Sequence, residues 1–257
     1  MNIFKNIYNY RELLKTNVQK EVRGKYKNSA LGVLWSFLNP LLQIMVYTIV
    51  FQVILKNPKP NYVVFLCAGL IPWTFFSTAI SRASFTVIEN GNIIKKVFFP
   101  REILPISVVT SETINFIIST IIILGIVAIS GLGFNIYMIF YPIILIAQYF
   151  LTLAIAFILS GITVYFRDLQ HLIGIALQLL FYATPIVYAT DGIPSNLSWI
   201  LNLNPMTYII NAYRDIFYNQ TMPQIGGLLI FIIIAIIGCG IGYAIFNKLQ
   251  KGFAEEL

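Results

Sequence analysis

KEVRGKYKNSALGVLWSFLNP, residues 20–40, decides how the rest of the chain is read. Lys5, Arg11, Lys15, Lys20, Arg23, Lys25 and Lys27 all precede Asn28, and no charge occurs between Leu31 and Leu55. A basic segment running into an uncharged stretch of that length predicts a transmembrane helix. Its cations sit at lipid headgroups on the cytoplasmic side, so its N-terminal end is inside. Asn39-Pro40 interrupts the span about a turn in, a break that protein or water must satisfy.

Working back from this stretch, Ile3, Phe4, Ile7, Tyr10, Leu14 and Val18 recur at helical spacing, with Lys5, Arg11 and Lys15 on other faces. Residues 1–29 are therefore expected to form an interfacial amphipathic helix, with a solvated basic arm as the bland alternative. Working forward, composition bounds the class. Apolar residues make up 58% of the 257 and charged residues 11%, too little charge for the surface of a soluble domain. The net charge of +7 reads as membrane topology rather than affinity for nucleic acid, because the cations flank apolar spans. The expected fold is an all-α integral membrane domain, residues 30–257, with six spans near 31–55, 62–80, 103–130, 136–166, 172–188 and 225–246.

All seventeen Lys and Arg residues except Lys56, Lys59 and Arg214 then fall on one side, which puts both termini in the cytoplasm. Between spans five and six, Ala189 to Gln224 carries Asp191, Arg214 and Asp215, too polar for a simple span, yet is too apolar for a free loop. Short re-entrant helices broken at Asn204-Pro205 fit it. Cys67 and Cys239 both fall within spans and read as packing residues. Gly238 and Gly242 make a small-residue face suited to packing within or between chains.

Catalytic chemistry is poorly provided for. There is one histidine, His171 beside Arg167-Asp168, where capping or an interfacial position explains it. No metal-ligand spacing and no phosphate-binding glycine loop occur. Glu112, with Asn115 nearby, is the one carboxylate expected inside a span. It is either functional or paired with a basic residue near the interface. Trp73, Phe75, Phe76, Tyr149, Phe150, Phe181, Tyr182, Tyr188 and Trp199 lie in or beside spans. Rings facing a conduit can stack on sugar faces, and the ordinary aromatic belt accounts for the others. Trp73, Phe76, Tyr149, Phe181, Tyr182 and Tyr188 are the candidate channel rings.

Several short motifs, taken in order against the spans, carry a resemblance. They are Tyr26, Leu31-Gly32, Trp35 and Pro40; Gly69-Leu70-Ile71-Pro72-Trp73; and Phe99-Pro100-Arg101-Glu102 with Leu104-Pro105. Phe166-Arg167-Asp168, Thr184-Pro185-Ile186-Val187-Tyr188 and Asn204-Pro205-Met206 follow. The chain resembles the membrane subunits of type-2 ABC exporters that move O-antigen, teichoic acid or capsule. The resemblance implies a homodimer lining a channel, with ATP and Mg held by two separate ATP-binding subunits and no cofactor in this chain. It implies a glycan or polyol-phosphate polymer on a polyprenyl diphosphate, in the cytoplasmic membrane of a bacterium. It places a coupling segment over Asn90, Ile93, Ile94, Lys95, Lys96, Val97, Phe98 and Phe99, the stretch Ile93 to Phe99 being a possible short helix. It places admission of the lipid diphosphate at Leu31-Gly32, where Arg23, Lys25 and Lys27 suit an anion or simply anchor the chain. Trp199, Asn204, Pro205 and Tyr208 fall in the expected external gate. Two alternatives stay open: a type-2 exporter of drugs or small lipids, and an integral-membrane enzyme acting on polyprenyl-linked sugars.

Overall fold

The structure, a computed structural model, describes residues 3–24, 32–56, 59–189 and 198–257. Two N-terminal helices, α1 (Ile3–Asn9) and α2 (Arg11–Gly24), precede a 3-10 turn over Gly32–Leu34 and α3 (Trp35–Thr48). α3 widens into a π-helical stretch over Ile49–Ile54. Then come α4 (Tyr62–Glu89), the single turn α5 (Gly91–Ile94), α6 (Ile103–Ile129), α7 (Tyr141–Tyr165) and α8 (Leu169–Tyr182). Two short helices, α9 (Ser198–Leu203) and α10 (Pro205–Arg214), lead through Asp215–Asn219 to α11 (Ile225–Leu249) and α12 (Phe253–Glu256).

Five helical stretches are long and apolar enough to cross a membrane: Trp35–Ile54, Tyr62–Glu89, Ile103–Ile129, Ile136–Tyr165 and Ile225–Gly252. The stretch expected as the fifth of six spans differs. α8 starts earlier than expected, at Leu169, and stops at Tyr182, before Thr184-Pro185. Fourteen residues rise only about 21 Å, short of a bilayer core. Proline disfavours helical geometry in the residue before it, which is why the helix ends there.

α4 is the axis of the bundle. Tyr62, Leu66, Cys67, Ala68 and Ala79 are wholly covered, and α3, α6, α7 and α8 all pack against it. α11 lies against α7, where Gly242 comes so close that a Cβ would sit 2.5 Å from the Ala154 carbonyl oxygen. Gly238 faces the same residue, so this small-residue face packs within the chain. The outer faces of α3 (Leu42, Met45, Val46, Val53) and of α11 (Ile230, Ile233, Ile234, Ile237) are exposed and apolar.

Three prolines sit where the fold absorbs them. Pro40 lies inside α3 and removes the donor that would meet the Ser36 carbonyl, which Ser119 Oγ of α6 reaches at 3.5 Å. Pro72 lies inside α4, and its carbonyl accepts from Gln148 Nε2 of α7 at 2.8 Å. Pro205 opens α10 at the first helical position. Asn204 caps it, its Oδ1 accepting from the Met206 amide at 3.0 Å.

The N-terminal helices differ from a free interfacial segment. Ile7, Tyr10, Leu13 and Leu14 pack against the core, α2 lies along α6, and Asn6 Nδ2 donates to Glu102 at 2.7 Å. The C-terminus gathers at the same end. Arg101 donates to the Gln250 carbonyl, Tyr165 to Leu249 O at 2.8 Å and Arg167 to Glu256 O at 3.3 Å.

Candidate functional site

A cavity of about 480 Å³ opens between α3, α4 and α8. Its ring wall is Tyr47, Trp73, Phe181 and Tyr182. Tyr47 stacks on Phe181 at 5.8 Å, while Trp73 and Tyr182 meet Phe181 edge-on at 5.8 and 5.3 Å. Ser77, Thr78, Ser81 and Arg82 line it from α4, and Gln178 from α8. On a helix of 3.6 residues per turn, positions 77, 78, 81 and 82 share one face. Aromatic faces beside hydroxyl and amide groups suit a ligand with apolar faces and polar edges.

Arg82 is the end of this face. Its guanidinium bonds to Glu112 of α6 with one nitrogen and to Glu21 of α2 with another. Asn115 Nδ2 donates to Glu112 at 3.3 Å. Glu112 is only 3% exposed, so its carboxylate depends on that arginine for compensation. The cluster explains why α4 runs to Glu89 rather than ending near Ile80. A charge paired on two sides is tolerated within a helix this apolar. It also fastens the N-terminal helix to the bundle.

Of the candidate channel rings, the cavity brings together Trp73, Phe181 and Tyr182. Phe76 is buried beside Trp73 at 5.7 Å. Tyr149 is elsewhere, on α7, hydrogen-bonded with Thr110 at 3.1 Å and edge-on to Phe150. Tyr188 donates to the Tyr182 carbonyl at 2.7 Å, in the segment after α8. Sequence reasoning missed Tyr47, Ser77, Thr78, Ser81 and Gln178. The hydroxyls of α4 carried a signal in their helical spacing, whereas Tyr47 had none.

At the opposite end of the bundle, Arg214 closes α10 and is 5% exposed. Its guanidinium lies 3.5 Å from the centroid of the Phe65 ring and donates to Ile186 O at 2.8 Å. Tyr62 donates to Val187 O at 2.8 Å, so one donor from α4 and one from α10 hold the chain after α8. Gly69 makes room for this: a Cβ there would sit 3.1 Å from the arginine and 3.3 Å from Ile186 O. Asn204 also donates to Thr184 Oγ1 at 2.7 Å, and Tyr208 stacks on Phe231 at 5.2 Å and donates to Gln224 O. Trp199 is exposed on α9. Burial raises the neighbouring Asp215 carboxyl above its ordinary range, against a hydrogen bond donated by Asn219.

The segment after α4 departs from the possible helix over Ile93 to Phe99. α5 covers only Gly91–Ile94, with Asn90 as its cap. The chain then turns through Lys95 and Lys96, and Pro100 disfavours helical geometry at Phe99 before it. Ile94 and Phe99 are buried, while Ile93, Lys95, Lys96, Val97 and Phe98 are exposed, Phe98 by 86%. Of the residues assigned to lipid-diphosphate admission, Arg23 lies exposed in the last turn of α2. Gly32 begins the 3-10 turn with φ +50°, which favours glycine. Lys25, Lys27 and Leu31 lie outside the described residues. Among the described residues, no group of three or more His, Cys, Asp or Glu is placed to hold a metal.

Two features define the class: a bundle of apolar helices around a polar, ring-lined cavity, and a pattern that matches the ABC-2 type transporter family over residues 12–218. The chain belongs to that family, and is a non-catalytic membrane permease. Membership implies separate ATPase subunits.

Among individual relatives, it is 37% identical over 247 residues to an O-antigen export system permease protein RfbA of Klebsiella pneumoniae. The match covers 96% of this chain and 95% of that one. It is 34% identical over 259 residues to the RfbA permease of Myxococcus xanthus, with both chains fully covered. The polysialic acid transport protein KpsM of Escherichia coli is 25% identical over 206 residues, 76% of this chain and 77% of that one.

Proposed function

We propose that this chain is the permease subunit of an ATP-driven exporter carrying a polyprenyl-diphosphate-linked glycan across the cytoplasmic membrane of a bacterium. The observation that carries the substrate class is the full-length similarity to O-antigen export permeases at 34% to 37% identity. The cavity walled by Tyr47, Trp73, Phe181 and Tyr182 supports it, since ring faces and hydroxyl edges suit sugars.

Two copies pair around the conduit, and their exposed apolar faces on α3 and α8 are available for that contact. α8 with the turn after it serves as the fifth of six crossings, so both termini lie in the cytoplasm. The gathering of α2, α5 and the C-terminus at one end supports this topology. Two ATP-binding subunits dock below and hold ATP and Mg. They push on the exposed knob of Ile93, Lys95, Lys96, Val97 and Phe98. Arg23, Lys25, Lys27, Leu31 and Gly32 admit the lipid diphosphate, and clustered cations suit that charge. Trp199, Asn204, Pro205 and Tyr208 belong to the external gate, whose re-entrant helices are α9 and α10.

The test is ATPase activity of the complex with and without a polyprenyl-diphosphate glycan in a reconstituted bilayer. Stimulation by the glycan supports the reading. An ATPase that responds equally to a hydrophobic drug contradicts the substrate class and favours the drug or small-lipid alternative.

A further inference from the structure

A second cavity, of about 580 Å³, lies between α3, α4 and α6 and adjoins the first at Thr78, which lines both. It falls within three helices long and apolar enough to cross a membrane, yet eight of its thirteen lining residues carry polar side chains. Asn39 and Gln43, one turn apart on α3, are exposed into it, and Thr78 faces it from α4. These three side chains have no hydrogen-bond partner among the described residues. Against hydrocarbon, an unpaired carboxamide is costly, so the cavity needs matter that hydrogen-bonds.

The charge of the lining narrows what that matter is. Glu112 reaches the cavity already neutralised by Arg82, and no Lys, Arg or His is among the described lining residues. A diphosphate would find no cation there, whereas a neutral polyhydroxylated group would find donors and acceptors. The apolar part is aromatic. Phe75 and Phe116 stack at 5.2 Å and 9° in its lining, which also includes the exposed Trp35. The volume falls in the range of small-ligand sites.

We infer that this α3–α4–α6 cavity is a sugar-binding site that reads the hydroxyl groups of the cargo's first residues, adjoining the ring-lined cavity beside α8 at Thr78. The assignment of a sugar rests on the glycan-export reading above. Its position fits such a role. Trp35 follows the Gly32 turn directly, and Glu112 is tied through Arg82 to both the ring-lined cavity and the N-terminal helix. A sugar seated on Asn39 and Gln43 is therefore one ion pair away from α2.

The test uses the permease with its ATPase subunit in a bilayer, and two probes: polyprenyl diphosphate alone, and the same lipid bearing a disaccharide. In the double variant Asn39→Leu and Gln43→Met, the disaccharide lipid should need about tenfold more to half-stimulate ATPase, as expected for two lost hydrogen bonds. The response to the bare lipid should not change. Unchanged responses to both probes, or equal losses for both, would overturn the site. Independently, Asn39→Cys should be labelled by a water-soluble maleimide and protected by the disaccharide lipid but not by the bare lipid. Absence of protection, or equal protection by both, also overturns it. If neither lipid stimulates the unaltered complex, the export reading fails, and the labelling result still decides the site.

Discussion

Arg82 shows how one side chain ties together parts of the chain that the sequence holds far apart. It meets Glu21 across 61 positions and Glu112 across 30. Removing it by Arg82→Leu leaves the buried Glu112 carboxylate without its counter-charge, a loss of about 3–5 kcal/mol. The thermal midpoint of the purified complex should fall accordingly, and the double variant Arg82→Leu, Glu112→Leu should recover much of it. A double variant no better than the single one would contradict this account of the pair. Gly242 gives a second residue-level prediction. Gly242→Ala forces a Cβ to 2.5 Å from Ala154 O, and overpacking of that kind costs about 1–3 kcal/mol. Gly238→Ala, whose Cβ would meet only Ala154 Cβ at 3.8 Å, should be tolerated. Similar midpoints for the two would argue against close α7–α11 packing.

Among the elements, α5 and the turn after it form the exposed feature best placed to meet a soluble partner. Charge reversal at Lys95 and Lys96 should leave ATP hydrolysis running while glycan export falls; unchanged export would remove the coupling role. Replacing Arg23 and Lys25 with Gln should weaken stimulation by lipid-linked substrate more than assembly, and equal losses of both would favour simple anchoring. Long apolar elements were legible in the sequence, because hydropathy alone defines α3, α4, α6, α7 and α11. The ends of elements were less so. α4 runs past Arg82 because its partners lie on α2 and α6, which no local pattern reveals. α8 stops at Tyr182 because Thr184-Pro185 ends it, although apolar residues continue beyond. The site was half legible for the same reason. Trp73, Phe181 and Tyr182 stand out as rings in apolar spans, but Tyr47 joins them only through the way α3 leans on α4 and α8.

The whole molecule is a bundle with two adjoining cavities along one central helix. α4 lines the cavity beside α8 with Trp73, Ser77, Ser81 and Arg82, the cavity beside α6 with Thr74 and Phe75, and both with Thr78. The N-terminal helices and the C-terminus gather at one end, where the Arg82 cluster also lies, and Arg214 braces the other against Phe65 and Ile186. On the proposed coupling, a push at α5 reaches both cavities through α4, which directly precedes it. The central claim is that this chain moves a lipid-linked glycan with energy supplied by a partner. The most direct measurement purifies the tagged chain from its native membrane in mild detergent, identifies what accompanies it, and assays ATPase activity with and without polyprenyl-diphosphate glycan. A co-purifying ATPase stimulated by the glycan is the predicted result. An ATPase indifferent to the glycan, or no ATPase at all, would contradict the account.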